Sequence, residues 1–219
     1  LGKNIKQIEK NDYEKADVVF TIGQSLKNYV INELQIDKSK VKSIGQGVHF
    51  NLYTKNYTKP SEFSAIKDKI IIYVGLLSKL DKNLTSKLID IISKKKYHIF
   101  FIGPNPEKWL LDLSNEKKVK ILKPIPNNQI PAYLTHSDIG IMLYDQTKKE
   151  IYNGQHPLKL YEYAAAGLQI LSTKHDEYKF LKPPCYIIEN SKCLEDFFHQ
   201  KKNSRFRKKE IKKFAKKFS

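Results

Sequence analysis

Hydrophobic positions along this chain fall into short continuous runs and longer periodic stretches, and the order of the two predicts most of its elements. Residues 1–15 are polar apart from Ile5, Ile8 and Tyr13, which reads as a helix with few anchors. ADVVFTIG at 16–23 is a continuous apolar run, the mark of a strand covered on both faces. Ser25 is placed to cap a helix over LKNYVINEL, whose Leu26, Tyr29, Val30 and Leu34 share one stripe. VKSIGQGVHF at 41–50 gives a short strand that breaks at Gly45 and Gly47. The stretch 51–67 is polar, contains Pro60, shows no periodicity and reads as a linker.

Beyond residue 69 strand and helix signals alternate. Strands are expected at 70–75, 97–103, 119–125 and 138–145, and helices at 84–95, 105–114 and 127–137. Apolar strands separated by helices predict an α/β fold, a doubly wound parallel sheet with helices on both faces. Ligands of such sheets bind outside the carboxyl ends of the strands. Gly75 with the lysines after it, the KPIP turn at 123–126 and the loop before residue 157 all fall at such ends.

The segment HPLKLYEYAAAGLQIL at 156–171 carries the most chemistry. Pro157 suits a first helical position, and 158–166 follows as a helix with neighbouring apolar rows of Leu158, Tyr161, Ala165 and of Leu160, Ala164. Gly167 stands where a left-handed cap is expected, and LQIL continues as a buried strand. A helix entered from a loop presents N–H groups and a positive dipole end to an anion. Lys159 lies in that first turn and Glu162 one turn later on nearly the same face, so amides and Lys159 suit a diphosphate and Glu162 suits ribose hydroxyls. The ordinary alternative is a Lys–Glu pair that supports its helix by ~0.2–0.5 kcal/mol and does nothing else.

Composition narrows the class. With 40% hydrophobic and 29% charged residues among 219, the chain is expected to be soluble and to bury a proper core. No apolar run approaches the ~20 residues of a membrane helix, and residues 1–15 lack a secretory hydrophobic stretch. Cys185 and Cys193 have no metal spacing, which favours a reduced, cytoplasmic chain. About half of the net charge of +17 lies in residues 201–217, where ten Lys or Arg accompany one Glu. No helix-turn-helix, zinc pattern or aromatic RNA-binding signature accompanies that charge, so nucleic acid is not an expected partner. Ile211, Phe214, Ala215 and Phe218 form one helical stripe flanked by Lys208, Lys209, Lys212, Lys213, Lys216 and Lys217. Such a stripe either packs on its own domain or lies on an anionic membrane surface, which would make residues 201–219 a peripheral attachment to the inner face of the cytoplasmic membrane.

In order, these segments resemble the latter part of a GT-B glycosyltransferase of the group that uses nucleotide-activated sugars for bacterial surface polysaccharides. ADVVFTIGQSL resembles the last strand of that family's N-terminal domain, IGQGVH its interdomain turn, and YVGLLSK the start of its C-terminal domain. IPNNQIPAYLTHSDIGIML and PLKLYEYAAAGLQIL resemble two further segments, the second being the donor-binding signature. The resemblance covers the chain from about residue 9 onward. It implies a remnant of the N-terminal acceptor domain with the interdomain linker at 1–55, then a Rossmann-like nucleotide-sugar-binding domain at 56–219.

The same resemblance implies roles. Glu162 would hold the donor ribose, Leu158 and Lys159 would meet the diphosphate, and Gly75 would allow close approach of the donor. Lys79 and Lys82 are the candidates for neutralising phosphate, Pro124 and Ile125 would flank the base, and Gln155 and His156 would face the transferred sugar. His156 is the candidate catalytic group, with a satisfied loop histidine as the ordinary alternative. No metal or other cofactor is implied. The partners are a nucleotide-sugar and a glycan or lipid-linked acceptor, with a separate acceptor domain if the chain works as a subunit.

Departures from the family pattern matter too. Gly154 stands where many retaining members have a first glutamate, so a retaining mechanism is not supported, and Leu76 replaces the basic residue after the strand glycine. Residues 1–50 cannot build an acceptor domain, so the chain alone is expected to bind donor and transfer sugar negligibly. A non-catalytic nucleotide-sugar-binding subunit and a sugar-nucleotide epimerase of the same fold are the competing readings.

Overall fold

A computed structural model describes residues 2–148, 156–199 and 206–219. Contacts divide the chain into two compact units: residues 1–47 with 150–157 and 175–182, and residues 48–149 with 158–174 and 183–219.

In the first unit, α1 (Gly2–Lys15) leads to β1 (Val19–Thr21), α2 (Gln24–Asn32) and β2 (Val41–Ser43). The two strands pair in parallel, Val19 opposite Val41. Val19, Val30, Leu34, Ile36 and Val41 form the core, with Tyr13 packed against it. Three expectations fail here. The run at 16–23 is covered on one face only: Val19 and Thr21 point inward, whereas Phe20 is 63% exposed and Val18 and Ile22 are exposed with it. One helix layer on a two-stranded sheet covers one face, and period-2 alternation sends every second side chain to the other. Ile5 and Ile8 likewise lie exposed on α1 rather than anchoring it. Ser25 does not cap α2 either. The helix begins at Gln24, and the buried carboxylate of Glu177 accepts hydrogen bonds from the N–H groups of Gln24 and Ser25, both at 2.9 Å. A carboxylate at the positive end of a helix satisfies the donors that a capping side chain would otherwise serve.

The second unit contains β3 (Lys69–Val74), α3 (Lys82–Ser93), β4 (Tyr97–Ile102), α4 (Lys108–Leu113), β5 (Val119–Leu122), α5 (Ile130–Thr135), β6 (Ile139–Met142), α6 (Leu158–Ala166) and β7 (Gln169–Ser172). It closes with β8 (Tyr186–Ile187), α8 (Ser191–His199) and α9 (Lys208–Lys216); the short α7 (Tyr178–Leu181) belongs to the first unit. All six strands are parallel, in the order β5-β4-β3-β6-β7-β8. The expected doubly wound sheet is therefore present, and the order reverses between β3 and β6. In such sheets the crevice at that reversal is the binding position. Fully buried Ile71, Ile72, Ile99, Phe101, Ile141 and Leu171 explain why the strands read as continuous apolar runs.

The stretch read as a linker is partly structural. Two 3-10 turns, Phe50–Tyr53 and Ser61–Phe63, bury Tyr53 and Phe63, and Phe63 packs edge-on against Phe100 at 4.6 Å and Tyr133 at 5.4 Å. A three-residue turn holding one aromatic anchor leaves no periodic trace in the sequence.

The C-terminal stripe packs on its own unit. Phe214 stacks on Tyr161 of α6 at 5.9 Å and Phe218 meets the same ring edge-on at 4.8 Å, while Ile211 and Ala215 are fully buried. A β-carbon on Gly167 would touch the stems of Lys208 and Lys212, which puts two of the flanking cations beside the C-terminal, negative end of α6. The apolar face of this helix is thus packed within its own unit, the first of the two arrangements expected of the stripe. Among the described residues no helix is long and apolar enough to cross a membrane.

Candidate functional site

Two glycines shape the carboxyl edge of the sheet. Gly75, directly after β3, has φ +138°, and Gly103, after β4, has φ +152°, both in the region that glycine alone enters readily. A β-carbon on Gly103 would lie 1.9 Å from the carbonyl oxygen of Gly75, so the two strand exits cross with no room for a side chain. The loop leaving Gly75 is tied down by Tyr73, whose buried hydroxyl donates to the carbonyl of Leu76 at 2.9 Å.

Helix α6 has the bounds expected of it and ends at Gly167 with φ +81°. The ring of its Tyr163 packs against Gly140 of β6, where a β-carbon would come within 2.4 Å, and its hydroxyl accepts from the N–H of Val74 at 3.0 Å. This peg fixes the first turns of α6 against β3 and β6. Lys159 then reaches toward Gly75: a β-carbon there would stand 2.5 Å from Nζ. Leu158, the other expected phosphate contact, has its side chain exposed at the helix start.

Each of two lysines stands over an aromatic floor. Lys159 Nζ lies 5.9 Å from the ring centroid of Tyr73, and Lys79 Nζ lies 5.8 Å from that of Tyr144. The two rings meet edge-on at 6.4 Å. Lys79 is held there by its own backbone, whose carbonyl accepts from the N–H of Asp145 at 2.9 Å. Burial pushes both ammonium groups below the ordinary lysine value; for Lys159 the nearby Lys79 adds to the depression and Glu162 opposes it. Burial raises the Glu162 carboxyl above the ordinary glutamate value, against the pull of Lys159 and of a hydrogen bond from Tyr53. Enclosure outweighs mutual attraction for both partners, so these charges are held at some cost. An anion bridging the lysines would offset the cost of the two ammonium groups.

Gly75, Lys79, Lys159 and Glu162 are therefore brought together. Lys82 is exposed at the first position of α3, while Pro124 is exposed and Ile125 half-buried after β5, which β4 separates from β3. Among the described residues none of these three joins the lysine–glutamate group by a hydrogen bond or ion pair. Gln155 lies outside the described residues. In the first unit His156 is buried, and its Nδ1 pairs with the carbonyl of Ile22, a bond that fixes ring and tautomer. Sequence reasoning missed Tyr53, Tyr73, Tyr144 and Gly103. Only Gly103 left a signal, as a glycine ending an apolar strand.

Comparison with known proteins bears out the fold. No family model matches the chain. The chain is 26% identical over 193 residues to a Bacillus subtilis protein named, provisionally, as the teichuronic acid biosynthesis glycosyltransferase TuaH; the match takes in 85% of this chain and 47% of that protein. The chain thus spans about half the length of this curated relative. Among solved structures, Anabaena HepE in complex with UDP-glucose superposes with a TM-score of 0.73 at 14% identity, covering 100% of this chain and 64% of HepE. Sucrose-phosphate synthase from Thermosynechococcus elongatus superposes with a TM-score of 0.71 at 13% identity, covering 99% of this chain and 57% of the synthase. The chain has the GT-B fold of these structures.

Proposed function

We propose that this chain holds the nucleoside diphosphate of an activated sugar and belongs to a glycosyltransferase acting in surface polysaccharide assembly. The observation that carries the reading is Lys159, which reaches from the start of α6 to Gly75 with the charges of Lys79 and Glu162 acting on it. Lys159, Lys79 and the first N–H groups of α6 bind the diphosphate, Gly75 admits it to the strand end, and Glu162 accepts hydrogen bonds from the ribose. The similarity to TuaH and the UDP-glucose bound to HepE support a nucleotide-sugar as the donor.

The reaction transfers the sugar from the diphosphate to a hydroxyl of a glycan or lipid-linked acceptor. As the bond from the anomeric carbon to the phosphate oxygen breaks, its electron pair leaves with the nucleotide. The growing negative charge falls where lysines and helix amides are already aimed, which is the arrangement that stabilises a departing anion. The Nδ1 of His156 is engaged with a backbone carbonyl, and the proposal gives the residue no catalytic role. It includes no metal ion. The two free cysteines suit a cytoplasmic setting.

A thermal-shift screen against UDP, GDP, ADP, TDP and CMP tests the reading. At a hundredfold excess over Kd a ligand adds ~2.7 kcal/mol, which for a chain of this size is roughly 5–10 °C. One diphosphate should give such a shift, and a flat response to all five would count against the proposal.

A further inference from the structure

Lys159 is half-buried, yet among the described residues its ammonium makes no hydrogen bond and no ion pair, and Glu162 one turn along α6 does not close on it. What the ammonium meets is the exit of β3. Its Nζ lies 5.9 Å from the ring centroid of Tyr73 and 2.5 Å from where a β-carbon of residue 75 would stand. The Tyr73 ring is wholly buried, and the ring of Tyr144 meets it edge-on at 6.4 Å. Its hydroxyl donates to the carbonyl of Leu76 at 2.9 Å and would lie 3.7 Å from the same β-carbon position. A ring held by its strand at one end and by that hydrogen bond at the other keeps its face turned to the start of α6.

We propose that Tyr73 is a positioning residue for the diphosphate: the face of its ring holds the Lys159 ammonium at Gly75 before the ligand arrives. The proposal rests on the phosphate role given to Lys159 above. A carboxylate in the place of the ring would hold the lysine more firmly, but it would neutralise the charge and occupy the N–H donors that phosphate oxygens need. An aromatic face attracts the cation through its quadrupole and leaves the charge intact. The long lysine stem is therefore ordered in advance, and that ordering is a cost that binding would otherwise bear. Tyr73 thus acts through Lys159 and need not touch the ligand itself.

The experiment replaces residue 73 of the full chain by phenylalanine and by its difluoro and trifluoro derivatives, which keep the shape of the ring while drawing negative charge from its face. UDP, GDP and ADP are titrated calorimetrically into the wild-type chain, and the tightest-bound of them is carried through the series, with and without Lys159→Ala. Affinity should fall stepwise from phenylalanine to the trifluoro ring, by about 2–10-fold in all, the cost of ordering one long side chain on binding. Melting temperatures should stay within a few degrees of one another, and the difluoro ring decides the matter should the trifluoro chain lose its fold. With Lys159→Ala the series should be flat, which a merely structural role for the ring would not produce. An affinity indifferent to fluorine with Lys159 present, or an equal fall without it, would overturn the proposal and leave the phosphate role of Lys159 standing. A wild-type chain that binds none of the probes, or a Lys159→Ala chain that binds as tightly as wild type, would instead remove that phosphate role, and this proposal with it.

Discussion

The ammonium of Lys159 lies across Gly75, close enough that a β-carbon on residue 75 would stand 2.4 Å from Cε and 2.5 Å from Nζ. A residue on the start of α6 thereby supplies the cation at the end of β3, where Leu76 leaves none. The strand exit and the helix start, 84 positions apart in sequence, meet at the place proposed for the diphosphate.

Alanine at the two strand-end glycines should separate strain from function. Both positions have φ in glycine's region, so each substitution costs about 1–3 kcal/mol in backbone strain. At Gly75 the new methyl meets only the flexible end of Lys159, so folding should survive while diphosphate affinity drops. At Gly103 it meets the carbonyl of Gly75 at 1.9 Å, which cannot move aside cheaply. Melting curves should therefore rank Gly103→Ala well below Gly75→Ala, and equal melting temperatures would sink the crossing argument.

How far the sequence foresaw this site depends on the residue. Lys159, Glu162 and Gly75 were legible because each sits at an element boundary marked by Pro157, by the helical period or by the end of an apolar run. Tyr73 and Tyr144 were not, since a tyrosine inside a strand reads as one more core residue, and the direction of its hydroxyl is set by elements far away in the chain. Tyr53 and Phe63 were hidden for a different reason: short 3-10 turns have no period to detect. The run at 16–23 misled because apolar content reports which residues tolerate burial, and Phe20 is not buried.

Glu162 should make stability depend on pH. Burial raises its pKa above the ordinary glutamate value. A group with a raised folded pKa binds protons on folding, so its stabilising contribution is fully present below the unfolded pKa and is lost as the pH rises through the folded one. Glu162→Gln mimics the neutral form. Without ligand it should raise the melting temperature at about pH 8 and lose that advantage below about pH 4. A uniform effect across that window, or a destabilised variant at neutral pH, would show that the carboxylate is not held at a cost.

The C-terminal helix should respond as a packed element. Phe214 is 8% exposed and stacked on Tyr161, so Phe214→Ala should cost about 3–5 kcal/mol in a denaturant titration. Lys209, Lys213, Lys216 and Lys217 are exposed, and any attachment they give to anionic liposomes is purely electrostatic. Sedimentation with such liposomes at low ionic strength should be lost near 1 M salt, where the Debye length falls to about 3 Å. Retention at high salt, or on neutral liposomes, would mean the apolar stripe can leave its seat.

The central claim is that Glu162 and Lys159 read one nucleoside diphosphate, and calorimetric titration of wild-type, Glu162→Ala and Lys159→Ala chains tests it most directly. With the diphosphate that gives the largest thermal shift, Glu162→Ala should weaken binding by roughly 1.5–3 kcal/mol, the range for lost hydrogen bonds to a charged group. Lys159→Ala should lose less, because Lys79 and the amides of α6 remain. An unchanged Kd for Glu162→Ala, with its melting curve intact, would contradict the claim.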